Sequence, residues 1–122
     1  MVGPSRAELA RRGEELAARH LERLGYRRVA RNERTRWGEL DLIVCDARTL
    51  VFVEVKTRRA PCPLPLEGVG PAKQAQVRAL ARAWLAAPGP RPVRDRLRFD
   101  AVGVVLDRAG ELVRLDHVEG AF

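Results

Sequence analysis

The sequence predicts an α/β domain, a mixed β-sheet flanked by helices with elements in the order αβββαββ. Two observations predict it. Apolar residues recur at helical spacing in two separate stretches, and the remaining patterned segments alternate with a period of two and are joined by short polar turns. The 122 residues suit one domain, 1–122, whose core hides roughly two-thirds of the surface of the unfolded chain.

Ser5-Arg6-Ala7-Glu8 reads as a capping box that opens the first helix. Leu9, Gly13, Leu16, Ala17, His20, Leu21 and Leu24 then form its apolar stripe, and Gly25 stops it. At about 100° per residue, Glu14 falls on the edge of that stripe beside Leu21, while Glu8, Glu15 and Glu22 point to solvent. Glu14 is thus the one helix carboxylate expected to reach a neighbouring layer.

A short strand over 27–32 precedes an Arg-rich turn over 33–38. From 39 to 45 the period is two, with Leu40, Leu42 and Val44 on one face. From 50 to 57, Val51, Val53 and Val55 share one face and Leu50, Phe52, Glu54 and Lys56 the other, so both segments are strands joined by a turn at 46–49. If that turn is symmetric, cross-strand partners have numbers that sum to 95, which sets Asp41 opposite Glu54 and Glu39 opposite Lys56 on one face.

A Pro-rich loop over 58–70 carries Pro61, Pro63 and Pro65 and ends at Pro71, a good first helical residue. The second helix has the stripe Val77, Leu80, Ala81 and Trp84, with Lys73 in line near its start and Gln74 and Gln76 on the solvent side. Pro88-Gly89-Pro90 ends it. Residues 97–106 and 111–116, joined by a turn at 107–110, form a second hairpin. Trp84, Phe52 and Phe99 read as core, Trp37 as core packing in preference to base stacking, and His20 as a packing residue. Asp100 reads equally as an Arg partner or a supporting residue of a site, and His117 carries no signal.

Twenty-three Lys+Arg against 16 Asp+Glu give a net charge of +7, a field that favours polyanions, nucleic acid first and acidic membrane second. No apolar segment opens the chain and none approaches the roughly 18 residues of a membrane span, so a soluble protein with no membrane partner is expected. Cys45 and Cys62 show neither CxxC spacing nor a His cluster, which argues against a disulfide framework or a zinc site and for a reducing cytoplasm. Aromatic residues are only 5% of the chain, too few for the stacking platforms of single-strand binders, which favours duplex or branched substrate.

Directly opposed carboxylates repel unless a cation lies between them. One reading of Glu39, Asp41, Glu54 and Lys56 is a solvated polar face, with a surface ion pair worth under about 1 kcal/mol. The other is a hard-cation site. The 50–57 strand has apolar residues on both faces, so its charges are partly buried, and Mg²⁺ prefers such oxygen ligands. Lysine adds to this second reading, because only Lys56 and Lys73 among the 23 basic residues are Lys, and an ammonium with a shiftable pKa does proton-linked work that guanidinium cannot. Arg34, Arg36, Arg58 and Arg59 bracket the acids and are expected to contact backbone phosphates. Lys73 either meets a phosphate or the acids, or rests its stem on the core.

Gly38-Glu39-Leu40-Asp41-Leu42-Ile43 followed by Val51-Phe52-Val53-Glu54-Val55-Lys56 resembles the YraN family of small bacterial proteins, which are predicted endonucleases of the PD-(D/E)XK superfamily. The helix-hairpin layout is similar to that of archaeal Holliday-junction resolvases. The likeness extends to Gly13-Glu14, Asn32, Arg34, Lys73, Arg98-Phe99-Asp100 and the Ala121-Phe122 ending. It implies a restriction-endonuclease-like fold and a metal-dependent endonuclease using Mg²⁺ or Mn²⁺ on DNA. Asp41 and Glu54 would be metal carboxylates, the Val55 carbonyl a further ligand and Lys56 the catalytic lysine. Glu14 would be the helix carboxylate that completes the site. Leu40 stands where many superfamily members have a proline before the Asp. Resolvase-like relatives act as homodimers, although no dimer seam is visible in this sequence. Two other readings stand beside this one: a non-catalytic nucleic-acid-binding module, and a small RNA-associated protein in which Asp41, Glu54 and Lys56 form a structural ion network.

Overall fold

In the computed structural model the described residues are 3–62 and 69–122, so Pro63 and Pro65 of the expected loop lie outside them. The order is α1 (Arg6–Arg23), β1 (Arg27–Thr35), β2 (Gly38–Cys45), β3 (Thr49–Arg59), α2 (Pro71–Ala86), β4 (Arg96–Leu106) and β5 (Leu112–Val118). This is the expected αβββαββ arrangement. The five strands form one mixed sheet in chain order. Neighbours are antiparallel except β3 and β4, which are parallel and joined through α2.

The helices cover opposite faces. Leu9, Ala17, Ala18 and Leu21 of α1 pack on Leu42, Val44, Val51, Val53, Val102, Val104 and Leu106. Val77, Leu80, Ala81 and Trp84 of α2 pack on Leu40, Ile43, Cys45, Leu50 and Phe52. Strands covered on both sides read as near-continuous apolar runs, which is why the 50–53 segment shows no polar face. Phe52 anchors the second layer, edge-on to Trp84 at 5.9 Å between centroids and stacked on Phe99 at 5.5 Å.

Ser5 caps α1 as expected, its Oγ accepting from the Glu8 N–H at 3.2 Å. The buried stripe is turned toward Glu14 and Ala18, which are both inside, whereas Leu24, at the C-cap, is exposed. Nor do Glu15 and Glu22 face solvent alone, because both pair with Arg28, and Glu15 also with Arg31. Arg28 and Arg31 are therefore matched inside the molecule.

β1 is longer than expected. It continues to Thr35, so the Arg-rich turn shrinks to Arg36-Trp37. An edge strand tolerates this density of charge, and Thr35 closes the hairpin by accepting from the Trp37 N–H and donating to the Gly38 carbonyl. Trp37 stands outside the core, 66% exposed, with the Arg36 guanidinium 4.3 Å above its ring. The strict alternation expected for β2 also breaks at Asp41, since Leu40 joins the α2 layer while Leu42 joins the α1 layer. Beside this break, in β1, Asn32 adopts a left-handed φ of 53°, which Asn tolerates better than most residues.

Candidate active site

The β2–β3 ladder runs in the register expected from the symmetric turn, from Cys45↔Leu50 to Leu42↔Val53, and there it stops. Asp46 sets that register: its carboxylate accepts from the Arg48 and Thr49 N–H groups. Beyond Leu42 the pairing expected for Asp41 with Glu54 and for Glu39 with Lys56 is replaced. Asp41 Oδ2 accepts from the Val55 N–H at 2.9 Å, taking the place of a main-chain partner. Glu39 instead pairs with Arg34 across β1 and β2, and its carboxylate lies 3.3 Å from the Arg34 guanidinium. The fork has a physical cause: a continued ladder would set two carboxylates face to face, whereas opening it gives Asp41 an N–H donor.

Into this fork α1 brings Glu14, buried to 9% exposure. The approach depends on Gly13, where a Cβ would lie 2.9 Å from Thr57 Cβ and Cγ2 and nearer still to its Oγ1. Oriented with its NH₂ toward the acids, the Asn32 amide donates to Glu14 Oε2 at 2.6 Å and to Glu39 Oε1 at 2.8 Å. Glu14, Glu39 and Asp41 each bring an oxygen within 4.8 Å of the other two. They line a cleft of about 530 Å³ together with Arg11, Arg34, Val55, Thr57, Lys73 and Gln76 among others.

The electrostatics follow from this crowding. Burial, and then Glu54, push the Asp41 carboxyl up to about 7, against the opposing pull of the Val55 N–H. Burial and the neighbouring Glu39 likewise raise Glu14, while Arg31 and Arg11 draw it down. Burial thus penalises the charged forms of Asp41 and Glu14 more than the nearby cations relieve them. An all-oxygen donor set of this kind fits a hard divalent cation and offers nothing to a soft one.

The other expected residues take distinct places. Glu54 and Lys56 continue the face of Leu50 and Phe52, toward α2, and Glu54 is 3.4 Å from Lys73 Nζ. Lys73 therefore meets the acids, as one of its two readings held. Lys56 is partly buried and, among the described residues, forms no ion pair. Val55 lines the cleft, as do Arg34 and Lys73. Arg36 lies on Trp37, while Arg58 and Arg59 line an adjoining cavity. Gln74 and Gln76 are not simply solvated, since they donate to the carbonyls of Val69 and Trp37.

Sequence reasoning placed Glu39 in the acidic cluster only as the partner of Lys56, with no ligand role, and gave Asn32 no role in it. The signal was faint: an Asn within a strand of charged residues, which hints at a left-handed kink but not at what it turns toward. Asp100, by contrast, belongs to a separate buried network. It accepts from Arg98 at 2.8 and 2.9 Å, from the Gly120 N–H at 3.0 Å and from His117, which in turn meets His20.

Among the described residues no helix is long and apolar enough to cross a membrane. The sequence profile of the family described as "Uncharacterised protein family UPF0102" matches residues 13–104, from Gly13 through most of β4. A UPF0102 protein of Geobacter sulfurreducens is 46% identical over 112 residues, covering 91% of this chain and 85% of its own. One from Pelotomaculum thermopropionicum is 43% identical over 122 residues, covering 99% and 100%, and one from Nocardia farcinica is 46% identical over 123 residues, covering 99% and 93%. With its profile spanning the helix glycine, the forked hairpin and the parallel strand, the chain belongs to the UPF0102 family, the YraN family that its hairpin motif resembles.

Proposed function

We propose that this protein is a metal-dependent endonuclease that hydrolyses phosphodiester bonds of duplex or branched DNA. One observation carries the reading: three carboxylates, Glu14, Glu39 and Asp41, converge in a cleft that also holds Arg11, Arg34 and Lys73, on a chain of net charge +7. A cluster of acids repels a polyanion unless a cation intervenes. Mg²⁺ or Mn²⁺ would be held by Asp41 and Glu14 with Glu39, the Val55 carbonyl and Glu54 as the further oxygens in reach of the fork. When bound, such an ion supplies Lewis-acid polarisation of a phosphoryl oxygen and neutralises charge that develops there.

The chain's own groups do the rest. The Val55 N–H fixes Asp41 through Oδ2 and leaves Oδ1 with no hydrogen bond among the described residues. Lys73 steadies the Glu54 carboxylate. Lys56 Nζ, with no carboxylate partner among the described residues, donates to a phosphate oxygen or holds the attacking water. Arg34, Arg36, Arg58 and Arg59 contact backbone phosphates on either side of the cleft. Because burial and Glu54 raise the Asp41 carboxyl to about 7, a cation held there would compete with a proton, and metal affinity should rise as pH rises toward 7. The reading includes a cytoplasmic protein, in keeping with Cys45 as a buried thiol. It also includes a homodimer when the substrate is a symmetric junction, which needs two cuts.

Cleavage of linear, nicked, flapped and four-way-junction DNA with Mg²⁺ or Mn²⁺ tests the proposal. Wild type is expected to cut at least one of these, Asp41→Asn and Lys56→Arg to cut none, and Glu14→Gln to lose more activity than Glu15→Gln. Retained DNA binding without any cleavage overturns the nuclease and leaves a binding module. Unchanged Mn²⁺ binding heat in Asp41→Asn overturns the metal site.

A further inference from the structure

A second cavity, of about 480 Å³, adjoins the carboxylate cleft and shares Ala10 and Thr57 with it. Its remaining walls among the described residues are Arg6 and Leu9 of α1 and Arg58 and Arg59 at the end of β3, three cations and no acid. All three arginines are exposed. Some arginines of the chain are matched by carboxylates: Arg28 and Arg31 by Glu15, Arg98 by Asp100, Arg114 by Asp116. Here they are not. Arg58 donates to the Thr57 carbonyl at 3.2 Å and Arg59 to the Pro4 carbonyl at 3.0 Å, while Arg6 has no partner among the described residues.

Glu8, the nearest acid in sequence on α1, is engaged by Ser5 and lines a different cavity with Arg12. Each contact to a main-chain carbonyl holds one corner of a guanidinium and leaves its other N–H groups unused, the state in which an Arg fork takes two oxygens of a phosphate. We propose that this cavity is a phosphodiester-binding subsite, filled by a backbone phosphate of the DNA strand whose neighbouring phosphate enters the carboxylate cleft. The assignment of that neighbour rests on the nuclease reading, whereas the subsite itself rests on the cavity. The strand then runs along the groove between the first two turns of α1 and the end of β3. Arg6, read from the sequence only as part of the capping box, closes this groove from the helix side.

The test is the salt dependence of binding to a 20-base-pair DNA duplex, with cleavage blocked by withholding divalent cations. The triple variant Arg6→Gln, Arg58→Gln, Arg59→Gln is compared with Arg23→Gln, Arg82→Gln, Arg108→Gln, which removes equal charge from exposed residues that line none of these cavities. Each phosphate contact contributes about 0.9 to the slope of log K against log salt. Removing three therefore lowers the slope by about 2.7, so that between 50 and 200 mM salt the variant loses about 40-fold less affinity than wild type. The control triple should keep the wild-type slope.

Equal slopes in the two triples overturn the subsite. As a second variant that spares the fold, Arg58→Glu should weaken binding at least about tenfold more than Arg108→Glu, and equal effects again overturn it. Duplex RNA of the same length run in parallel separates the sources. A greater loss on DNA supports DNA as occupant, a greater loss on RNA overturns it, and equal losses support the phosphodiester common to both. A changed slope in a protein that cleaves nothing keeps the subsite and removes the nuclease; cleavage with an unchanged slope does the reverse.

Discussion

Asp41→Asn should stabilise the protein at pH 8 and make almost no difference at pH 4. The wild-type carboxyl is displaced from its ordinary 3.8 to about 7, first by burial and then by Glu54. A tenfold change in proton affinity is worth about 1.4 kcal/mol, and about three powers of ten separate the two values, so full ionisation costs the native state up to about 4 kcal/mol. The sign is fixed by which state holds the proton. Above 7 both states are ionised and the native state bears the whole cost. As pH falls through 7 the native state takes up a proton that the unfolded chain does not bind until about 4, and stability from this group rises.

Asparagine keeps the shape and an oxygen for the Val55 N–H but cannot ionise. The variant should therefore exceed wild type by up to about 4 kcal/mol at pH 8, and by less than about 1 kcal/mol at pH 4. Urea unfolding followed by fluorescence of the buried Trp84 at pH 4, 6 and 8 measures the difference, and equal m values show that the denatured state is unchanged. Saturating Mg²⁺ at pH 8 should stabilise wild type and leave the variant unmoved. Equal unfolding free energies for the two proteins at pH 8, within about 0.5 kcal/mol, would refute the account of the cleft as a strained cluster of acids.

Three further outcomes bear on the same architecture. Gly13→Ala should destabilise despite its better helix propensity, because the new methyl meets Thr57; overpacking costs about 1–3 kcal/mol against about 1 kcal/mol gained, and Thr57→Ala should recover part of the loss in thermal melts. Asn32→Gly keeps the left-handed backbone and removes only the amide, so it should weaken Mn²⁺ binding in calorimetry while remaining about 1 kcal/mol more stable than Asn32→Ala, which also strains the backbone. Asp100→Ala empties a fully buried position and leaves the partly buried Arg98, His117 and the Gly120 N–H without their acceptor, and should cost about 2–3 kcal/mol in urea unfolding. Burial alone would raise the Asp100 carboxyl, but His117, Arg98 and the Gly120 N–H hold it down to about 2. Its contribution is therefore present above about 4 and lost as pH falls through 2, an acid limb that the variant should lack.

Much of this was legible because it is local. The β2–β3 register follows from a four-residue turn whose first residue, Asp46, ties down the next main-chain donors. The choice of Glu14 over Glu15 follows from helical phase, and Pro71 marks the start of α2. What escaped depends on contacts between segments far apart. Nothing in the spacing of β2 says that the ladder ends at Leu42, since the end is set by a carboxylate that prefers the Val55 N–H to a facing Glu54. Glu39 enters the cluster only because Asn32, on another strand, bends toward it and toward α1. The fate of Arg28 and Arg31 was likewise invisible, because their partners sit a helix away.

The parallel pairing of β3 with β4 has a consequence for how the molecule assembles in time. Glu14, Glu39, Asp41 and Glu54 all lie on α1, β2 and β3, elements that meet through short connections and low loop-closure entropy. β4 reaches its place only after the chain has crossed the sheet through α2, the slower kind of event for a nascent fold. On that topology the mutually repelling acids are expected to gather before β3 acquires its second neighbour and before Lys73 reaches Glu54, an order that folding kinetics of Lys73→Ala, with slower folding as the refuting result, would check. The late half of the chain acts as a clasp, holding shut an arrangement that the early half has little reason to keep on its own.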